Sequence, residues 1–268
     1  MKEIIDISIG NLFFGALLLI IPIIGFIYFR VKIIKETIIA ILRMIVQLSL
    51  VAVYLEYIFE WNNAWVNIAW VFVMILVGTF TTIKRIGLSY RYFIVPFLLS
   101  GFTSILIIDI FFLGFIIHLD YVFDARYFIP ISGMVLGNAL NHNIVGLTSY
   151  FNDLIKEKDL YYFLLINNNH KKQILTRFIG TAIKSGLNPL IATMSVIGLI
   201  SLPGMMTGQI LGGSSPLIAI KYQLLIMLAI FVGCSMNLMI SILLSNRFIF
   251  DSYSRIKEDL FQKIDRKF

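Results

Sequence analysis

The sequence predicts an all-α polytopic membrane protein: seven transmembrane helices, N-terminus outside, C-terminus cytoplasmic, and a broken, glycine-rich sixth helix. Three observations predict it. The first is composition: of 268 residues 59% are hydrophobic and 14% charged, with a mean hydropathy of +0.90, more apolar surface than a soluble domain of this length hides. The second is run length. Stretches near the ~20 residues that cross hydrocarbon recur at 7–29, 38–59, 64–83, 93–117, 128–149, 188–211 and 218–245. The third is charge placement. Connections 30–37, 84–92 and 150–187 and the tail from Asn246 hold nearly all Lys and Arg, whereas the alternate connections carry Glu60, Asp120 and Asp124 with only Arg126. Cations gather on the cytoplasmic side, so the net charge of +7 reads as orientation in a lipid bilayer and not as a nucleic-acid footprint. Residues 1–268 read as one transmembrane domain with a cytoplasmic helical hairpin at 150–187 and a cytoplasmic tail at 246–268.

The first run is expected to remain as a helix. Glu3 and Asp6 precede it and Arg30, Lys32 and Lys35 follow it, the reverse of a signal peptide's charge order, and no small-x-small cleavage pattern ends it. In the second, Arg43 and Gln47 lie one turn apart; snorkelling to the cytoplasmic interface and a fixed polar contact are both open. The fourth carries Asp109, the one acid well inside an apolar run. An intramembrane acid costs about 3 kcal/mol on insertion scales and faces a cavity or a partner, so Asp109 is a candidate for cation handling, with a position near the external interface as the alternative.

The fifth run opens at Tyr127-Phe128-Ile129-Pro130, proline being tolerated in a first turn. Gly133 and Gly137 make a small-xxx-small face with Asn141 one turn on, and Asn138 and His142 share the adjacent face. This polar set either lines a route or makes interhelical hydrogen bonds worth about 1 kcal/mol or less each. His142 has no companion at metal-ligand spacing. In the hairpin, Ile174, Leu175, Phe178, Ile179 and Ile183 recur at helical spacing after the polar stretch Asn167–Lys172. Two helices joined by a polar turn follow, either a solvated cover or a docking surface.

The sixth run contains GLISLPGMMTGQILGG, residues 198–213. Pro203 lacks an N–H and presses on the carbonyl of Leu199, so the helix kinks or breaks there. Freed backbone groups survive in hydrocarbon only beside protein or a watered cavity, with Ser201, Thr207 and Gln209 at hand. Gly204, Gly208 and Gly212 fall at i, i+4 and i+8 as one bare face against which a helix can pack. Met205 and Gln209 share a face and Met206 adjoins them; thioethers favour soft ions. No carboxylate cluster for a hard cation lies within the runs, so a metal-ligand set stays unassigned. In the seventh, Lys221, Tyr222 and Gln223 sit near the external end, too shallow for a retinal-type lysine, and a lone Cys234 excludes an internal disulfide. GTAIKS at 180–185 lacks the glycine a phosphate-binding loop needs before its lysine, and no HExxH, GxSxG or EF-hand pattern occurs.

RMIVQL (43–48), IPISGMVLGNALN (129–141), GLISLPGMMTGQILGG (198–213) and AIKYQ (219–223) resemble, in order along nearly the whole chain, the FetB-type permease family. These are membrane subunits of ABC transporters linked to bacterial iron export, with plant aluminium-tolerance relatives. The resemblance implies a multi-pass cell-membrane permease, itself not an enzyme, which exports iron or another metal. ATP and Mg would be held by a separate ATP-binding subunit, in a complex of two permeases and two ATPases. It also implies a cytoplasmic docking helix within Glu157–Gln173, with Glu157, Asn167, Asn168, Lys171 and Gln173 as contacts. There the chain departs from the family, which usually carries a Leu-Gly-Ala-Thr-Pro-like turn where this sequence has Ile166-Asn167-Asn168-Asn169-His170; asparagine tolerates left-handed backbone. Export of a non-metal solute such as a nucleotide sugar, a seven-helix sensor or assembly protein without transport, and an intramembrane enzyme using Asp109, His142 and Gln209 remain the alternatives.

Overall fold

In hydrocarbon a chain must close its backbone hydrogen bonds within each segment, and these apolar runs do so as helices. The computed structural model describes residues 8–167, 170–257 and 260. Helices α1 (Ile9–Ala16) and α2 (Ile20–Tyr28) are joined by a 3-10 turn, Leu17–Leu19, and are followed by α3 (Ile34–Trp61) and α4 (Ala64–Ile86). Next come α5 (Tyr90–Asp109), continued by a π-helical segment Ile110–Ile116, and α6 (Ala125–Lys156). The chain then forms α7 (Lys158–Asn167), α8 (Lys171–Val196), α9 (Gly204–Leu211) and α10 (Pro216–Ile249). Local signals fix several ends. Asn63 Oδ1 accepts from the amide of Trp65 at 2.9 Å at the start of α4, and Ser215 caps α10 with proline in its first turn.

Among the described residues, five segments are long and apolar enough to cross a membrane: Gly10–Tyr28, Ile34–Trp61, Ala64–Ile86, Tyr90–Ile116 and Pro216–Ile249. Among the described residues no strand accompanies them, only isolated bridges. The expected fifth run lies in α6. The sixth differs from expectation, because α8 runs unbroken from Lys171 to Val196 and merges half of the expected hairpin with the span. Helical hydrogen bonding does not stop where composition changes; the Ile174, Leu175 and Phe178 stripe buries against α6 and α10 and carries the helix inward. The break is real and wider than one kink. Residues 197–203 leave the helix, Gly198 takes φ +84, which only glycine adopts freely, and Pro203 starts α9 as its N-cap.

Helix α6 is the hub, packed along α4, α8 and α10, while α5 lies against α4 and α10. Two apolar clusters fill this bundle. One, towards α7, contains Phe93, Leu147, Tyr150, Phe151, Phe178 and Leu238; the other, towards α9, contains Ile75, Ile105, Leu113, Val135, Leu190 and Cys234. Between them sits a buried polar layer. Asn143 Nδ2 donates to Asn237 Oδ1 at 2.6 Å, Asn237 Nδ2 donates to Ser104 Oγ at 3.2 Å, and Ser100 Oγ lies 2.7 Å from Ser241 Oγ and 3.2 Å from Asn237 Oδ1. Helices α5, α6 and α10 are thereby tied together at one level. Beside this layer α6 and α8 meet backbone to backbone: a Cβ on Gly186 would lie 3.0 Å from the His142 carbonyl oxygen and 3.2 Å from Gly146 Cα.

The first three helices stand apart. No residue of 10–28 is buried, and α3 buries only Ile58. The Tyr54 and Trp70 rings, 4.2 Å apart, join α3 to α4, and α3 also touches α6.

Candidate functional site

At the α9 end of the bundle, α9 and the first turns of α6 and α10 face one cavity. The cavity between them measures about 490 Å³ and is lined by Asp124, Arg126, Tyr127, Met134, Met205, Gln209, Ser214 and Tyr222, among others. The 3.6-residue period placed Met205 and Gln209 on one face, and both line this space. Gln209 Oε1 is buried without a hydrogen-bond partner among the described residues, an acceptor held ready on the cavity wall. Met206 points the other way. It lines a second, mainly apolar space of about 400 Å³ with Met194, Met227, Gly198 and Gln223.

Further along α6 than Met134, the last residue of this helix in the cavity wall, come further glycine and asparagine positions. Gly137 and Asn141 are exposed, and Asn138 is half-buried with its Nδ2 donating to the Met134 carbonyl at 2.8 Å. On the adjoining helix α8, Lys184 and Asn188 are exposed as well. His142 belongs instead to the α6–α8 crossing, where its Nδ1 lies 2.9 Å from the Gly186 carbonyl oxygen. The structure thus brings Met205 and Gln209 to one cavity, leaves Asn138 and Asn141 outside its lining, and holds His142 at the α6–α8 crossing.

At the other end α7 lies beyond the bundle. Tyr161 is fully buried against α8 and the tail, whereas Phe163 and Ile166 are 62% and 82% exposed. Glu157 pairs with Arg177 at 3.4 Å, Asn167 Nδ2 donates to the Phe163 carbonyl at 2.8 Å, and Lys171 Nζ lies 3.8 Å over the Phe250 ring. Gln173 opens α8, its amide donating to the His170 carbonyl at 2.9 Å. Asn168 lies outside the described residues.

Residues 9–250 match the family described as "Uncharacterised protein family (UPF0014)". The chain belongs to the UPF0014 family. It is similar to "UPF0014 membrane protein YjkA" of Bacillus subtilis (strain 168), 30% identical over 236 residues that cover 86% of this chain and 91% of that protein. It is 30% identical to "Protein ALUMINUM SENSITIVE 3" of Arabidopsis thaliana, over 72% of this chain and 69% of the relative. It is 28% identical to "Probable iron export permease protein FetB" of Escherichia coli (strain K12), over 81% and 83%. No solved structure matches. The resemblance carried by the four motifs is therefore met, and the chain is a multi-pass protein of the cell membrane.

In this UPF0014 chain other expected residues fall elsewhere. Asp109 is 3% exposed, between α5 and α6, where Ser132 Oγ donates to its Oδ2 at 2.6 Å and its Oδ1 has no partner among the described residues. It borders a separate apolar cleft with Ile75, Phe102, Ile105 and Phe128, apart from the cavity that Met205 and Gln209 line. Among the described residues the Gly204, Gly208 and Gly212 face meets no neighbouring helix: nothing lies within 4 Å of a Cβ built on Gly204 or Gly208, and Gly212 faces only the carbonyls of its own turn. The same holds for Gly137, whereas a Cβ built on Gly133 would lie 3.0 Å from Met74 Cε. Sequence reading missed the Asn143–Asn237 layer and the Gly146–Gly186 crossing. The available signal was a polar residue with a second one turn away inside an apolar run, as in Ser100 and Ser104 or Asn237 and Ser241.

Proposed function

We propose that this chain is the permease subunit of an ATP-driven ABC transporter which exports iron or another metal. It is not itself an ATPase, and it works with a separate ATP-binding subunit that holds ATP and Mg. The observation that carries the reading is α7. A short helix outside the bundle, with Phe163 and Ile166 facing away from it, presents apolar surface that a soluble partner covers. The basic connections put this end in the cytoplasm, and the likeness to the protein named as an iron export permease supplies the class of cargo. Helix α6, and α8 with α9 across their break, supply the fifth and sixth of the seven crossings; their polar residues lower hydropathy, and burial by neighbours makes those residues tolerable in a bilayer.

Two copies complete the pathway. Asn141 and Asn188 are open in the chain alone, and hydrocarbon cannot satisfy them. A second copy set against the α6–α8 face encloses these groups and the bare Gly204 and Gly208 surface, and it continues the Met205–Gln209 cavity as a route between the subunits. The walls of that cavity offer thioether, amide, phenol and a single carboxylate, Asp124. Among the described residues no group of three or more His, Cys, Asp or Glu could hold a metal ion. That favours a second reading, in which the cargo is a chelate or a non-metal solute.

Purification of the tagged chain from native membranes in mild detergent tests the proposal. Co-purification of an ATP-binding subunit with vanadate-sensitive hydrolysis is the expected result, and a chain that arrives alone without ATPase activity overturns it. ATP-dependent uptake of ferrous iron or of a nucleotide sugar into inverted vesicles then separates the two cargo readings.

A further inference from the structure

The docking helix is held in place by an element that the permease reading does not require. After α10 the chain turns back at residues 250–257, closed by an antiparallel bridge between Phe250 and Ile256. Asp251 Oδ1 accepts from the amides of Tyr253 and Arg255 at 2.9 and 2.7 Å, and Lys257 donates its amide to the Ile249 carbonyl at 2.9 Å. This folded tail grips α7. Tyr161 Oη donates to the Ser254 carbonyl at 2.8 Å, the amide of Ile256 donates to Tyr162 Oη at 3.2 Å, and the Tyr161 and Phe250 rings stack with centroids 5.6 Å apart. Lys171 closes the far side over Phe250. Phe250, Ile256 and Leu260 are buried in the same cluster as Tyr161, whereas α7 packs only lightly on α6 and α8.

We propose that the 250–257 tail is a clamp that makes α7 and α10 one mechanical unit, with Tyr161 and Tyr162 as its positioning residues. The inference rests on the permease reading and adds a route for force. Helix α10 is 34 residues long, about 50 Å at 1.5 Å per residue, and it reaches from the clamp to Ile218 and Tyr222 in the wall of the α9-end cavity. A displacement of α7 by a docked partner passes directly to that wall, without depending on the single-residue link at Glu157 or on the turn before α8. Rigid-body transmission of this kind needs a stiff rod and a joint that does not yield; the paired phenol hydrogen bonds and the buried ring stack provide the joint.

The test uses the purified complex with its ATP-binding subunit, in a Cys234→Ala background with spin labels at Trp65→Cys and Leu217→Cys, both exposed positions at the α9 end. Wild type is expected to change the label-to-label distance between the nucleotide-free and vanadate-trapped states. Tyr161→Phe with Tyr162→Phe removes only the two hydroxyls. This pair is expected to keep the ATPase bound and the thermal midpoint near wild type while reducing the distance change several-fold. Retention of the full change in the double variant overturns the clamp. Loss of ATPase binding in that variant also overturns it, because the tail then belongs to the docking surface and not to transmission. Absence of any ATPase from the wild-type preparation instead removes the permease reading beneath it.

Discussion

The α6–α8 crossing gives the sharpest quantitative prediction. A methyl group on Gly186 would sit 2.8 Å from Leu238 Cδ2, 3.0 Å from the His142 carbonyl oxygen and 3.2 Å from Gly146 Cα. The leucine can rotate; the two backbone atoms cannot. Gly186→Ala therefore forces α6 and α8 apart by several tenths of an ångström and stretches the 2.9 Å contact between His142 Nδ1 and the Gly186 oxygen. Overpacking of this sort costs about 1–3 kcal/mol. Gly180, two turns earlier on the same helix, has nothing within 4 Å of its added Cβ, so Gly180→Ala serves as the matched control. Alanine favours helix over glycine by about 1 kcal/mol, but unfolding by SDS in mixed micelles separates helices without melting them, so this term largely cancels and the clash remains. The assay is an SDS titration followed by near-UV circular dichroism. Gly186→Ala is expected to fall about 1–3 kcal/mol below Gly180→Ala, and equal stability of the two variants would refute the close approach.

Four further outcomes follow from particular groups. Asn237→Leu removes three helix-to-helix hydrogen bonds, each worth about 0.6 kcal/mol, so the same titration should show a loss of about 2 kcal/mol. Ile166→Glu places a charge on the exposed apolar side of α7 and should weaken ATPase association by about 2 kcal/mol, a hot-spot loss, read as ~30-fold in a pull-down titration. Asp109→Asn preserves an acceptor for Ser132 and should leave ATP-driven transport unchanged; loss of transport would return this acid to the pathway. Burial, with Tyr162 and Asp251 nearby, raises the Tyr161 phenol from the ordinary 10.0 to about 12. A released tyrosine ionises first, so the clamp is fully stable below pH 10 and is lost as pH rises towards 12. Tyrosinate absorbance at 295 nm should accordingly show one fewer late-titrating phenol in Tyr161→Phe than in wild type.

The membrane runs were legible because apolar length and charge placement are local properties. The boundaries at 34–61, 64–86 and 216–249 differ from expectation by a few residues. The continuity of α8 was not legible: the second helix of the hairpin was expected to end near residue 187, while the packing that carries it on into the span comes from α6 and α10. In the site, helical periodicity was enough to place Met205 with Gln209. It could not reveal that Asn143 meets Asn237, 94 residues away, or that Gly146 opposes Gly186, because each partner alone looks like an isolated small or polar residue. Asp109 stood out for its rarity in an apolar run, yet its partner Ser132 lies on a different helix.

The asparagine and serine layer has a consequence for how the helices can move. Dispersion contacts between leucines change gradually as one helix slides along another, but amide hydrogen bonds have direction, and a register shift of one residue, about 1.5 Å of rise with about 100° of rotation, turns the Asn237 side chain away from both Asn143 and Ser104. Sliding of α10 past α5 and α6 is thus stepwise, like a ratchet pawl seated in one tooth. Any motion that keeps the seat must be a tilt about this level, with the two ends of α10 swinging in opposite directions.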